Sequence, residues 1–266
     1  MSTWTRYLAA AGLLLTCLAS PAMADFKKGM TAYEAGDYAT ALKMWRPLAE
    51  QGNTDAQYGL GLIYDGGKGV AQDNAEAARW YRKAAEHGLA SAQSNLGVLY
   101  ARGEGVPQDN AQAARWYRRA AEQEYAMAQF NLGVLYEKGH GVKQDYTEAV
   151  FWYRRAAEQG DTDAQLNLGL LYANGKGVPQ SYGKAVRWYR MAAEQGDADA
   201  QSRLGLLYAN GQGAQQDLVQ AHLWLSLAAA QGDKNAAKER DLLVKKMTPA
   251  QLTQAHKLAR GWKPKK

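Results

Sequence analysis

Few side chains in this sequence are suited by type and spacing to catalysis or metal binding. The four histidines, His87, His140, His222 and His256, occupy unrelated positions, and no pair has the spacing of a metal-binding motif. The only cysteine, Cys17, lies near the start, so a structural zinc site is not expected. Ser and Asp are plentiful, but no catalytic triad can be assigned from them. The sequence therefore predicts no catalytic residue, no metal ion and no cofactor.

Polar side chains that recur at a fixed interval are better candidates for a binding surface. The residues in front of a repeated Leu-Gly pair are Gly59, Asn95, Asn131, Asn167 and Arg203. One position earlier are Tyr58, Ser94, Phe130, Leu166 and Ser202, and at the following segment ends are Arg102, Lys138, Asn174 and Asn210. An asparagine amide offers both a donor and an acceptor to the backbone of an extended peptide. A polar face that is merely solvated is the alternative.

These positions belong to an internal repeat of 36 residues. Tyrosine, glycine and tryptophan each return at this interval across five units, which indicates a stacked array. The recurring residues are Tyr64, Tyr100, Tyr136, Tyr172 and Tyr208; Gly61, Gly97, Gly133, Gly169 and Gly205; and Trp80, Trp116, Trp152, Trp188 and Trp224. The predicted units are 53–88, 89–124, 125–160, 161–196 and 197–232.

Each unit is predicted to be a helix–loop–helix. In the second unit Ala92, Leu96, Leu99 and Tyr100 follow the periodicity of one helical face. The repeated mid-helix glycine costs about 1 kcal/mol relative to alanine, so its recurrence indicates a close approach between helices. The linker between the two helices contains two glycines, which permit positive φ, and a valine that is predicted to pack against the core.

Capping residues mark the second helix of each unit. Asp73, Asp109, Asp145, Ser181 and Asp217 are predicted N-caps. Glu76 and Glu148 are predicted to complete capping boxes. Gly88, Gly160, Gly196 and Gly232 are predicted C′ residues. Glu124 replaces this glycine once, at a cost of about 1 kcal/mol if the left-handed conformation is kept.

The repeated pattern A-x-x-x-L-G-x-x-Y-x-x-G-x-G-V-x-x-D-x-x-x-A-x-x-W-Y-x-x-A-A resembles the Sel1-like repeat, a relative of the tetratricopeptide repeat. The resemblance covers residues 53–232 and weakens in the last unit at Ala214, Leu225 and Ala230. It implies an all-α fold, a right-handed α/α solenoid (superhelix) with capping helices. Residues 25–52 resemble a shortened tetratricopeptide unit, and residues 233–266 are predicted to be basic capping helices with Thr248 as an N-cap, Pro249 at N1 and a frayed tail.

If the array is similar to tetratricopeptide proteins, its first helices line a concave groove that binds a protein or peptide partner. The resemblance implies that this groove includes Tyr58, Asn95, Phe130, Asn131, Leu166, Asn167, Arg203, Arg102, Lys138 and Asn174. Some cysteine-rich relatives are described as weak β-lactamases, but this chain lacks their cysteines. A weak hydrolase therefore remains a minor alternative to a non-catalytic scaffold.

Other recurring residues are predicted to be structural. The second helices carry Arg82, Arg118, Arg154 and Arg190, each four residues before a glutamate, and such pairs support a helix by about 0.2–0.5 kcal/mol. A stripe that binds an acidic partner or a glycan is the alternative. The repeated tryptophans and tyrosines are predicted core residues. Gln57, Gln93, Gln129, Gln165 and Gln201 are expected to bind backbone between repeats.

The first 24 residues have the features of a cleaved signal peptide. Arg6 precedes an apolar run from Tyr7 to Leu18 that is too short to span a membrane, and Ala22-Met23-Ala24 is an A-x-A cleavage site. A retained anchor helix is the alternative, and Thr16 before Cys17 disfavours lipidation. We therefore expect a periplasmic or secreted protein, cleaved after Ala24, with no membrane span in the mature chain.

Positive charge is concentrated near the end of the chain. The net charge is +6, while residues 233–266 contain ten Lys and Arg against three Asp and Glu. The repeats therefore lack the positive field of a nucleic-acid-binding protein. An alternative function is binding of an anionic envelope polymer or lipid through this basic segment. A monomer is favoured.

Overall fold

The computed structural model describes residues 21–265, which form fourteen α-helices and no β-strand within that range. The helices are α1 (Pro21–Glu34), α2 (Tyr38–Glu50), α3 (Thr54–Asp65), α4 (Asn74–Glu86), α5 (Ala90–Arg102), α6 (Asn110–Glu122), α7 (Ala126–Lys138), α8 (Tyr146–Glu158), α9 (Thr162–Asn174), α10 (Tyr182–Glu194), α11 (Ala198–Asn210), α12 (Leu218–Ala230), α13 (Lys234–Val244) and α14 (Pro249–Gly261). The described chain divides into two compact units, one ending at Ala84 and one beginning at Ala85, within α4.

In the second unit, helices pack as consecutive antiparallel pairs: α5 with α6, α7 with α8, α9 with α10, and α11 with α12. The repeated glycine of the first helix allows this packing. A Cβ on Gly97 would lie 2.7 Å from the Tyr117 ring, and a Cβ on Gly133 would lie 2.7 Å from the Tyr153 ring. The predicted close approach of the two helices is confirmed, and the aromatic residue of the second helix occupies the space that a side chain would need.

The second helices begin where the N-cap residues predict. The Asp109 carboxylate accepts from the backbone N–H groups of Ala111 and Gln112, and Asp145 and Ser181 cap the next two second helices. The predicted capping boxes at Glu76 and Glu148 are wrong. These carboxylates instead accept from the indole Nε1 of the tryptophan four residues later, at 2.9 and 3.1 Å. A tryptophan one turn along the helix competes successfully for the carboxylate.

The linkers are compact because two glycines adopt positive φ. Gly139 and Gly141 have φ of 71° and 70°, and a Cβ on Gly141 would overlap the Asn110 carbonyl of the preceding unit. Within the same linker Gln144 donates to the Glu137 backbone carbonyl at 2.8 Å. The linker residue Val142 is half-buried against the core, as predicted.

The second helices end in left-handed residues. Gly160, Gly196 and Gly232 have φ between 94° and 103°, which confirms their assignment as C′ residues. Glu124 has φ of 64° and is the non-glycine residue with positive φ among residues 21–265. Its carboxylate forms an ion pair with Arg155 at 3.2 Å. The predicted irregularity is thus confirmed: Glu124 has a strained backbone conformation, and its side chain forms an exposed salt bridge.

A chain of glutamines connects successive repeats. Gln165 is 1% exposed, and its Nε2 donates to the Ala157 carbonyl of the preceding repeat at 3.1 Å. Its Oε1 accepts from Gln195 Nε2 at 2.9 Å. Gln129 and Gln201 make the equivalent contacts within the second unit. These bonds confirm the predicted structural role of the repeated glutamines.

The C-terminal helices cover the last repeat, since α13 and α14 both pack on α12. Thr248 caps α14 in a capping box with Gln251, and Pro249 lies at N1. The predicted fraying of the tail is wrong. The Trp262 ring lies 6.4 Å from the Trp224 ring, and Lys265 donates to Glu194 through both its backbone N–H and its Nζ. The aromatic contact and these two bonds anchor the tail.

The first compact unit contains a helical pair, α1 and α2, that packs against α3 through α2. Trp45 is 3% exposed, donates to the Phe26 carbonyl at 3.2 Å and stacks on the Phe26 ring. Residues 1–20, which include most of the predicted signal peptide and Cys17, lie outside the described residues. None of the described helices is both long and apolar enough to cross a lipid bilayer.

Candidate functional site

The candidate binding surface, called here the first-helix face, consists of side chains on the first helices of the four repeats in the second compact unit. Of the residues predicted for the groove, Tyr58 belongs to the first compact unit, on α3, and the other nine residues belong to the second. Those nine are Asn95 and Arg102 on α5, Phe130, Asn131 and Lys138 on α7, Leu166, Asn167 and Asn174 on α9, and Arg203 on α11. The repeat gives them equivalent positions on successive helices.

The apolar members of this face are attached to the core. Phe130 is half-buried, and its ring centroid lies 5.7 Å from that of Tyr153 on α8. Leu166 is half-buried against the main core cluster. In the first unit the Tyr58 and Tyr81 rings are related in the same way, at 5.8 Å. In the second unit, Phe130 and Leu166 thus form a partly apolar floor that is packed against the core.

One of the predicted asparagines already has an intramolecular partner. The side chain of Asn167 hydrogen-bonds Tyr153, whose hydroxyl donates to Glu137 Oε2 at 2.7 Å. Burial and this carboxylate raise the pKa of Tyr153 far above its usual range, so the hydroxyl remains a donor at neutral pH. Asn167 therefore joins two repeats and is less able to bind a ligand than the sequence predicted.

Two further members also bind within the protein. Arg203 hydrogen-bonds Tyr189, while burial raises the pKa of Tyr189 to about 12 despite this guanidinium. Asn174 Nδ2 donates to the Leu170 carbonyl at 2.9 Å, which closes the last turn of α9. The later repeats thus use their first-helix polar groups mostly for internal bonds.

The earlier repeats of the second unit retain unpaired polar groups on this face. Among the described residues, the side chains of Asn95 and Asn131 have no hydrogen-bond partner, and Lys138 has no ion pair. Arg102 has only a loose contact with Glu104, at 3.9 Å. Two half-buried amides and two exposed cations are therefore available to a ligand on α5 and α7.

Charge on the first helices is distributed unevenly. The cations Arg102 and Lys138 lie at the C-terminal ends of α5 and α7. The N-caps of α9 and α11 are Asp161 and Asp197, and burial raises the pKa of both carboxyl groups. The Asp163 carboxylate adds to this effect at both sites. One end of the face is thus positive in the earlier repeats, and the opposite end is acidic in the later ones.

Ser94, named above beside the polar ladder, was not included in the predicted groove. Its position is equivalent to that of Phe130, but the smaller side chain is fully buried and its Oγ has no hydrogen-bond partner among the described atoms. The sequence did contain a signal for this position: Ser94 is polar, whereas the equivalent residues of the two neighbouring repeats are aromatic. The amide of Asn95 lies beside it in the sequence, so two polar residues are adjacent at this point of α5.

The arginines of the second helices have hydrogen-bond partners other than those predicted from the sequence. Arg154 donates to the hydroxyl of Tyr172 in the next repeat at 2.6 Å, and Arg118 and Arg190 bind Tyr136 and Tyr208 in the same way. In the part of the chain that the structure describes, none of these three arginines forms the predicted ion pair with the glutamate four residues later. The tyrosine hydroxyl of the next repeat is the partner in each case, while Glu122 and Glu158 remain exposed and Glu194 binds Lys265.

Two histidines meet although their spacing in the sequence gave no indication of it. The rings of His222 on α12 and His256 on α14 are 5.1 Å apart in an edge-on contact. They line a cleft of about 610 Å³ in the C-terminal cap. The pairing depends on how α14 packs on α12, which no local pattern specifies. Within residues 21–265 no three His, Cys, Asp or Glu side chains converge as a metal ion requires.

These features define the protein as an α/α-repeat protein with capping helices. The Sel1 repeat model matches residues 54–89, 90–125, 126–161, 162–197 and 198–233, so the chain belongs to the Sel1 repeat family. No curated protein matches it significantly.

Two solved structures resemble this chain over most of its length. A protective antigen of uropathogenic Escherichia coli with an SLR fold is 37% identical, with a TM-score of 0.82, over 90% of this chain and 53% of its own. This chain thus spans about half the length of that protein. A Sel1 repeat protein from Oxalobacter formigenes is 38% identical, with a TM-score of 0.76, over 87% of this chain and 97% of its own.

The family and the fold establish two general properties. The fold is an all-helical solenoid of 36-residue repeats. Sel1 repeat proteins generally mediate protein–protein interactions, and the structures with this fold are typically non-catalytic scaffolds.

Proposed function

We propose that this protein is a non-catalytic scaffold of the bacterial cell envelope that binds an extended segment of a partner protein on its first-helix face. The observation that carries the proposal is the set of unpaired polar groups on α5 and α7. Asn95 and Asn131 are half-buried amides with no partner among the described residues, and Lys138 is an exposed cation without an ion pair.

The chemistry of this set fits the backbone of a peptide. A half-buried amide that is already fixed by packing loses little entropy when it binds, and it offers one donor and one acceptor to a peptide group. Phe130 supplies an adjacent rigid apolar surface for a side chain of the ligand. Lys138 and Arg102 add positive charge, which favours a segment that carries an acidic residue or a terminal carboxylate.

The proposed location outside the cytoplasm depends on the predicted cleavage after Ala24. That peptide bond lies in the first turns of α1, and Phe26, which stacks on Trp45, follows it. A cut at this position leaves the packed part of α1 intact. The mass of the protein recovered from a periplasmic extract tests this point, since the mature chain is expected to begin at Asp25.

Crosslinking in cells tests the binding surface. The tagged full-length protein is compared with a triple variant, Asn95→Ala, Asn131→Ala and Lys138→Ala, which removes the unpaired groups. We expect a specific crosslinked partner with the wild type and a loss of at least tenfold in its yield with the variant. Circular dichroism should give the same thermal midpoint for both proteins.

A matched control changes exposed residues of the second helices: Arg115→Ala, Glu122→Ala and Glu158→Ala. This variant also loses three polar side chains, but they lie on α6 and α8, the second helices of the same two repeats. It should retain the crosslinked partner. Retention by both variants, or loss in both, would show that the first-helix face is not the binding surface.

A further inference from the structure

A cleft of about 610 Å³ in the C-terminal cap lies apart from the first-helix face. Three helices line it, with His222 and Ser226 on α12, Arg240, Asp241 and Val244 on α13, and Leu252, His256, Ala259 and Arg260 on α14. Its volume lies within the range of about 300–1,000 Å³ that is usual for small-ligand sites.

The polar groups of this cleft are mostly positive or neutral donors. Arg240 is bound to Asp241 through Nε and Nη2, at 2.9 and 2.7 Å, so the one carboxylate that lines the cleft is neutralised locally. Arg260 is exposed and has no ion pair among the described residues. The cleft therefore retains one uncompensated guanidinium beside the imidazole of His256.

The histidine pair adds a polar wall in which His222 is buried and His256 is exposed. His222 is 2% exposed, its Nδ1 lies 3.3 Å from Ser226 Oγ, and its ring contacts His256 at 5.1 Å. Burial, His256 and Arg240 lower the pKa of His222, while Asp241 opposes the shift. Because Asp241 is already paired with Arg240, the uncompensated charge of the cleft is the Arg260 guanidinium, which favours an anion.

The remaining lining is apolar. Val244 and Leu252 are half-buried, and Ala259 packs against the main core cluster. This surface lies on the same two helices as the arginines. A ligand that satisfies both parts must carry a small anionic head and a short apolar tail, because an anion alone would leave the apolar wall exposed to water.

We infer that this cleft binds an amphipathic anion, whose carboxylate or phosphate head contacts Arg260 and His256 and whose apolar tail lies against Val244, Leu252 and Ala259. The site is independent of the first-helix face, since its residues lie on α12, α13 and α14. Binding at this position would also link the C-terminal helices to the last repeat.

Titration calorimetry with defined probes tests the inference. Octanoate and octyl phosphate carry the two anionic heads on apolar tails of nearly equal length, and octanol carries an octyl tail without an anionic head. We expect saturable binding of octanoate or octyl phosphate to the full chain and at least tenfold weaker binding of octanol. The stronger of the two anionic probes identifies the head that the cleft prefers.

Variants of one helix separate the cleft from general electrostatic attraction. Arg260→Gln should weaken binding of the preferred anion at least tenfold. Lys257→Gln removes the same charge from an exposed position of α14 that does not line the cleft, and should leave the affinity unchanged. Both substitutions are at exposed residues, so unchanged thermal midpoints are expected.

Three results would overturn the inference: no binding of either anionic probe, equal binding of octanol, or equal weakening by the two substitutions. Loss of the crosslinked partner is not expected for Arg260→Gln. The outcome of this experiment is therefore distinct from that of the test of the first-helix face.

Discussion

The ring of Tyr153 on α8 lies directly against the backbone of Gly133 on α7, where a Cβ atom would be 2.7 Å from its Cδ1. Gly97 has the same relationship to Tyr117, again at 2.7 Å. Both tyrosines are buried, so neither ring can move away without opening the core. The repeated glycine is thus explained by the size of its partner on the second helix.

Gly133→Ala should destabilise the protein, although alanine has the better helix propensity. The added methyl group overpacks a rigid aromatic contact, so we expect the free energy of unfolding in urea to fall by about 1–3 kcal/mol. Gly183→Ala is the control. A Cβ on Gly183, also in a helix, would have its nearest contact at 3.6 Å, so this substitution should be neutral or stabilising by up to about 1 kcal/mol. Equal unfolding midpoints for the two variants would contradict the packing argument.

Glu124→Gly should be neutral or stabilising by up to about 1 kcal/mol. Glycine adopts φ of 64° without strain, and the exposed ion pair that is lost with Arg155 contributes little. Glu124→Ala separates the two effects, because it loses the ion pair but keeps the unfavourable backbone conformation. Thermal unfolding should therefore rank the glycine variant above the alanine variant, and the reverse order would show that the side chain matters more than the backbone.

The repeat architecture was predictable because its determinants are local and periodic. The recurrence of a mid-helix glycine at Gly133 and its equivalents predicts a close helical pair, and the structure confirms it with the Gly133–Tyr153 contact. Asp145 predicts the start of a second helix, and Gly160 its end. The N-cap and C′ signals act within about one turn of a helix, and the glycine signal is identified by its recurrence in every repeat.

Contacts that depend on competition between partners were not predictable. Arg154 has Glu158 one turn away, yet it binds Tyr172 of the next repeat. Likewise, the position of Asn167 predicted a ligand-binding amide, but its side chain bonds to Tyr153. The sequence identifies which side chains are polar, whereas their partners depend on the register between repeats.

The C-terminal cap is outside the repeat and was least predictable. His222 and His256 are brought together by the packing of α14 on α12, and Trp262 holds the tail against Trp224. None of these pairs recurs in the sequence, so no periodic signal was available.

The glutamines between repeats permit a test with an internal control. Gln165 uses both ends of its amide, donating to the Ala157 carbonyl and accepting from Gln195. Gln57 donates to Ala49, but its Oε1 is buried without a partner among the described atoms. Gln165→Met should cost about 1–3 kcal/mol in urea unfolding, because it removes two hydrogen bonds that contribute about 0.5–1.5 kcal/mol each. Gln57→Met should cost less, and an equal or larger loss at Gln57 would contradict this account.

The buried imidazole of His222 should make stability depend on pH. Its folded pKa lies below the usual value of 6.5, chiefly because of burial and then because of His256 and Arg240. Between the ordinary pKa of the unfolded state and this lower folded pKa, the unfolded chain binds a proton that the folded protein excludes. The contribution of His222 is therefore fully present above about pH 6.5 and is lost as the pH falls towards the folded pKa.

Urea midpoints at pH 7.5, 6.5 and 5.5 should decline less steeply for His222→Gln than for the wild type. His140→Gln, which changes an exposed histidine in a linker, should keep the wild-type slope. If His222→Gln also keeps that slope, the buried imidazole does not control the acid sensitivity of the cap.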